Sequence, residues 1–203
     1  MDLPMSRDQA VSLTRWLKSH YVEQMSATLH DTPFSVDIAC AICCKETGPY
    51  LLAFSRRMSP TDALARCVFD ASGDADGTSR RAFPRNTAAF REAYDAAFAS
   101  LLIKEANDTR AVRGMDQKNW VYKGYGLFQY DLQHIRSDEA FFREKRWYVF
   151  DECLARLVSE LMKKYAAKGN VMDAIQAYNG SGPASEIYRS HVELLIQFCK
   201  DVP

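Results

Sequence analysis

Apolar residues along this chain recur mainly at three- and four-residue intervals, the period of a helix with one buried face. Residues 6–25 carry Val11, Leu13, Trp16, Leu17 and Tyr21 in that spacing and predict a first helix. Residues 35–46 predict a second: Pro33 precedes it, Ser35 is placed to cap it, and Gly48-Pro49 is expected to stop it. Residues 86–106 read as one continuous helix from Asn86 to Glu105, with Phe90, Ala93, Tyr94, Ala97, Phe98 and Leu101 on one face. Residues 138–168 read as the longest helix, rich in Phe141, Phe142, Trp147, Phe150, Leu154, Leu157, Val158 and Leu161 and closed by Gly169. Asn170 then caps a short helix to Tyr178, "NGSGP" interrupts the chain, and 184–199 forms the last helix. Between these, "DASGDADGTSRRAFP" at 70–84 reads as a loop and 107–124 as polar and irregular. Strand signals are few, so the expected fold class is mainly α, in a single domain spanning residues 1–203.

Composition narrows the classes. With 203 residues, 47% hydrophobic, the chain has enough apolar material for one substantial core. Lys+Arg and Asp+Glu balance at 26 each, and no basic run is dense enough to follow a phosphate backbone, so no nucleic-acid partner is expected. No apolar stretch reaches the ~18 residues of a membrane helix. The opening "MDLPMSRDQ" lacks the basic-then-apolar order of a secretory signal, and the expectation is delivery to its site of action by other means. Cysteines stand at 40, 43, 44, 67, 153 and 199; three crowd one predicted helix, where they read as small buried apolar side chains. Histidines 20, 30, 134 and 191 show no ligand spacing with them. The segment 70–77 begins like a calcium loop, but Phe83 stands where the closing glutamate belongs, so no metal is expected.

Three short stretches carry candidate chemistry. In "CAICCKETGPYLL" (40–52), Glu46 follows Ile42 by one helical turn. A carboxyl held against apolar neighbours resists ionising, which suits a general acid, although a solvated helix-end charge would have the same sequence. In "KGYGLFQYDLQHI" (123–135), Gln129 stands where the third glycine of a dinucleotide-binding loop would be. Gly124 and Gly126 would instead admit a ligand close to the backbone, with Gln129 offering a donor and an acceptor; a plain glycine turn is the simpler alternative. In "AIQAYNGSGP" (174–183), Tyr178 and Asn179 end a helix at a glycine-rich break, where they either line a cleft or serve as a buried tyrosine and a cap.

Taken in order, Glu46-Thr47-Gly48, Gly126-Leu127-Phe128-Gln129 and Ala177-Tyr178-Asn179-Gly180 resemble the motifs of goose-type lysozymes and soluble lytic transglycosylases, of the lysozyme-like superfamily. The resemblance covers roughly residues 35–55 and 120–195 and leaves 55–120 as an insertion or enlarged lobe. It implies cleavage of the β-1,4 bond between N-acetylmuramic acid and N-acetylglucosamine in peptidoglycan, without a cofactor. It implies that Glu46 is the catalytic acid and that Gly126, Leu127, Phe128, Gln129, Tyr178 and Asn179 bind the glycan. An inverting hydrolase needs a second carboxylate to activate water. Asp131, two residues past Gln129 as in the goose-type pattern, is the candidate, with Asp116 a weaker match. A lytic transglycosylase needs none: the glutamate takes back a proton from the sugar's own C6 hydroxyl and an anhydro ring closes. Phe128 departs from the usual methionine and Gly124 from a common serine. The resemblance implies action in the periplasm or on the cell wall, with peptidoglycan strands, a delivery apparatus or an inhibitor protein as partners. Cleavage of chitin or chitosan on a similar fold, or glycan binding without catalysis, are the alternative readings.

Overall fold

The computed structural model describes residues 3–203. Its described residues are mainly helical, 65% helix with one small sheet, which is the expected class at that level of detail. They form two compact units: residues 3–57 with 154–203, and residues 58–153. The segment 55–120 thus falls for the most part in the second unit, together with the 126–129 stretch.

The first unit is built from α1 (Arg7–Leu29), α2 (Val36–Glu46), α3 (Gly48–Ser55), the greater part of α8 (Phe150–Lys168), α9 (Val171–Asn179) and α10 (Pro183–Lys200). A capping box opens α1: the Gln9 N–H donates to Ser6 Oγ (3.3 Å) and the Ser6 N–H to Gln9 Oε1 (2.9 Å). The centre of the unit is α2. Every residue from Ile38 to Cys44 is buried, because α1, α3 and α10 all pack on it. Ser35 caps it as expected, accepting from the Ile38 N–H. Cys40, Cys43 and Cys44 are buried thiols within it. The Gly48-Pro49 pair does end α2, but it also opens α3, since proline is tolerated in a first helical turn whose N–H groups have no intrahelical partner. Asn170 caps α9 by accepting from the Met172 and Asp173 N–H groups, and Gly169 closes α8, both as expected.

The second unit carries α4 (Pro60–Ala65), β1 (Val68–Ala71), α5 (Thr87–Ala93), α6 (Ala96–Val112), β2 (Tyr122–Tyr125), β3 (Tyr130–Asp131), a 3-10 turn at Leu132–Arg136, α7 (Glu139–Arg143) and a second 3-10 turn at Arg146–Tyr148. The strands form an antiparallel sheet in the order β1-β2-β3, pairing Val68 with Tyr125 and Tyr125 with Tyr130. Behind it Tyr125 packs edge-on against Phe142 (5.2 Å between ring centroids) and Trp147 (4.9 Å). Glu105, 1% exposed, accepts from Arg66, Lys145 and Tyr148, so this buried charge is fully compensated.

Two expected helices are each divided. The helix over 86–106 breaks at Tyr94, which is extended, because the Asp95 carboxylate caps a new helix by accepting from the Phe98 N–H (2.8 Å). Phe90, Tyr94 and Phe98 still pack on one another across the break. The helix over 138–168 is interrupted at Lys145, whose φ of 54° is left-handed, so α8 begins only at Phe150 and α1 is the longer helix. Within 107–124, expected to be irregular, α6 continues to Val112 and β2 begins at Tyr122.

Candidate active site

Glu46 is the last residue of α2 and is half-buried. The chain turns just beyond it. Thr47 leaves the helical conformation, and its N–H (3.0 Å) and hydroxyl (3.3 Å) both donate to the Cys43 carbonyl. A Cβ at Gly48 would lie 2.2 Å from Met5 Sδ, so the smallest residue fits the packed corner. Glu-Thr-Gly is therefore a tight helix-to-helix turn that holds the glutamate at its rim.

The Tyr188 hydroxyl donates to Glu46 Oε1 at 2.7 Å. Tyr188 is 3% exposed on α10, and the Lys45 ammonium sits 5.8 Å from its ring centroid. Burial first, then the neighbouring Glu46 charge and Tyr178, push the Tyr188 phenol well above its ordinary range, so it stays a donor. Tyr178 is half-buried near the end of α9, and Asn179 is the exposed final residue of that helix. The first unit thus gathers Glu46, Tyr178 and Tyr188. A hollow of about 230 Å³ lies at the 180–182 turn between α9 and α10, with Lys168, Asp173, Gln176 and Ser181 offering polar groups to it.

In the second unit, Gly126–Gln129 form the tight connection between β2 and β3. The Gln129 N–H donates to the Gly126 carbonyl (3.1 Å) and the Gly126 N–H to the Cys67 carbonyl (2.8 Å). Gln129 itself turns inward: Nε2 donates to Gly126 O (2.9 Å) and Cys67 O (3.3 Å), and Oε1 is buried against Gly124, where a Cβ would come within 2.2 Å. A Cβ on Gly126 would meet Cys153 Sγ at 2.5 Å. Both glycines therefore admit the protein's own side chains, whereas the sequence suggested access for a ligand. Leu127 and Phe128 are buried.

Asp131, the candidate second carboxylate, is gripped by Arg80. Nη1 donates to Oδ2 at 2.9 Å and Nη2 to Oδ1, and Oδ1 also accepts from the Gln133 N–H (2.7 Å) at the start of the 3-10 turn. The Asp116 backbone carbonyl accepts from Arg110 Nε, and the Asp116 side chain is exposed. Among the described residues no group of His, Cys, Asp and Glu is arranged to hold a metal ion. Asp74, in the stretch tested as a calcium loop, accepts from the backbone and hydroxyl of Thr87.

No protein-family model, curated protein or solved structure matches this chain. Sequence reasoning missed Tyr188. A signal for it exists: Ser185, Tyr188, Val192, Leu195 and Cys199 lie on the buried stripe of α10, and a tyrosine on such a stripe brings a hydroxyl that favours a buried partner.

Proposed function

We propose that this protein cleaves the β-1,4 bond between N-acetylmuramic acid and N-acetylglucosamine in peptidoglycan, with Glu46 as the proton-carrying group. The observation that carries the reading is the 2.7 Å hydrogen bond from a buried tyrosine to a half-buried glutamate at a helix end. It orients the carboxyl through Oε1, and the carboxyl proton passes to the glycosidic oxygen. As the C–O bond breaks and the sugar gains oxocarbenium character, Glu46 becomes a carboxylate. The Tyr188 hydrogen bond strengthens as that charge develops, which stabilises the transition state more than the ground state. Tyr178 and Asn179 line the glycan path, and Lys168, Asp173, Gln176 and Ser181 in the hollow at the end of their helix supply partners for sugar hydroxyls.

The engagement of Asp131 with Arg80 favours the route that needs one carboxylate. In that route Glu46 takes the proton of the C6 hydroxyl, whose oxygen bonds to C1, and a 1,6-anhydro product forms. Asp131 then anchors the loop that bears Arg80. The substrate places the site of action in the periplasm or the cell wall.

Mass spectra of digested peptidoglycan test this, with chitin and chitosan oligomers digested in parallel. Anhydro-muramyl ends are expected from the wild type. Glu46→Gln keeps the shape but carries no transferable acid proton, and should lose on the order of a thousandfold in rate. Reducing ends would reassign the chemistry to hydrolysis; activity on chitin or chitosan alone would reassign the substrate; full activity in Glu46→Gln would remove the proposal.

A further inference from the structure

The second unit carries a feature that glycan cleavage does not use. A hollow of about 340 Å³ is lined by Arg81, Phe83, Arg85, Ala89, Glu92 and Ala93. Among the described residues, neither the Arg81 nor the Arg85 side chain makes a hydrogen bond or ion pair. The Arg136 guanidinium lies 5.0 Å from the centroid of the Phe83 ring, and the hollow that this ring lines carries Arg81 and Arg85 against the single carboxylate of Glu92. A chain with no net charge has concentrated positive charge here.

The frame of the hollow is pre-organised. Arg80, its side chain 11% exposed, donates through Nε to Pro84 O and through Nη2 to Phe83 O, both at 3.0 Å, while Asp131 holds its far end. The turn between Arg81 and Arg85 is thus tied down by its own neighbour, which lowers the ordering cost of binding. Ala89 and Ala93, one helical turn apart on α5, give a shallow apolar floor.

We propose that this hollow binds a small organic dianion, a dicarboxylate or a phosphomonoester. Arg81 and Arg85 pair with its oxyanions, since guanidinium forks match carboxylate and phosphate oxygens. Its carbon skeleton lies over Phe83 and the two alanines. Glu92 repels further negative charge at its edge and favours a ligand with a hydroxyl or N–H there. The volume exceeds what a simple inorganic anion fills.

The test is calorimetric titration of the full chain, at physiological salt, with N-acetylglutamate and with glycerol 3-phosphate as separate probes. At least one should bind one-to-one, and the arm that does identifies carboxylate or phosphate as the preferred source. Arg81→Ala with Arg85→Ala should weaken that binding at least tenfold. Arg56→Ala with Arg57→Ala, an exposed pair in the other unit, should leave it unchanged. Ala89→Leu, which fills the floor while keeping both arginines, should also weaken it. Absence of saturable binding with both probes, or equal weakening by the two double substitutions, overturns the proposal. Because the readout is binding, the result stands apart from whether Glu46 cleaves glycans.

Discussion

The Tyr188 hydroxyl, buried on a helix stripe, is satisfied by the one carboxyl that ends the core helix. Removing only that oxygen separates orientation from packing. Under the proposed function, Tyr188→Phe should lower kcat on peptidoglycan on the order of tenfold to a hundredfold with KM little changed, measured by initial rates of muropeptide release. A change confined to KM would show that Tyr188 serves glycan binding instead. That Glu46 ends a buried helix was legible in the sequence, because residues 38–44 are apolar and Thr-Gly follows. Tyr188 was not, because α10 reads as an ordinary amphipathic helix, and only the three-dimensional neighbour gives its hydroxyl a role. Gln129 was visible as a polar group among glycines, but sequence could not show that its amide folds back onto Cys67 and Gly126.

Elements follow local chemistry more faithfully than long-range periodicity does. The caps at Ser35 and Asn170 set the starts of α2 and α9 as expected, because a side-chain acceptor at that position satisfies backbone donors that nothing else reaches. The helix over 86–106 was misjudged for a related reason. Its aromatic stripe keeps helical spacing through Tyr94, while Asp95 at the next position restarts the helix, and the cap outweighs the period. The β2–β3 turn offers a separable test of two effects. Gly126 has φ of 77° and no space for a Cβ, whereas Gly77 has φ of 74° and open surroundings. Gly77→Ala should cost about 1 kcal/mol, the conformational term alone. Gly126→Ala adds overpacking against Cys153 and should cost about 3 kcal/mol or more. Urea denaturation of the two variants checks the difference; equal losses would mean that the corner relaxes around the added methyl.

For the molecule as a whole, most of the buried thiols and phenols that titrate work against stability on the alkaline side. Burial raises the thiols of Cys40 and Cys67 and the phenols of Tyr125, Tyr148 and Tyr188 above their ordinary values of 9.0 and 10.0. The folded chain keeps these protons after the unfolded chain has begun to release them. Their contribution is therefore complete below pH 9 and shrinks as pH rises beyond it. Thermal melts followed by circular dichroism should show a plateau from these groups between pH 7 and 8.5 and a steady fall from pH 9 to 11. A melting temperature unchanged at pH 11 would contradict the buried placement of these side chains. The same placement gives the chain a built-in chemical clock. All six cysteines are buried as thiols, so an alkylating reagent reaches them only in moments when the interior opens. Labelling at Cys40, Cys43, Cys44 and Cys199 would time the breathing of one unit, and labelling at Cys67 and Cys153 the breathing of the other.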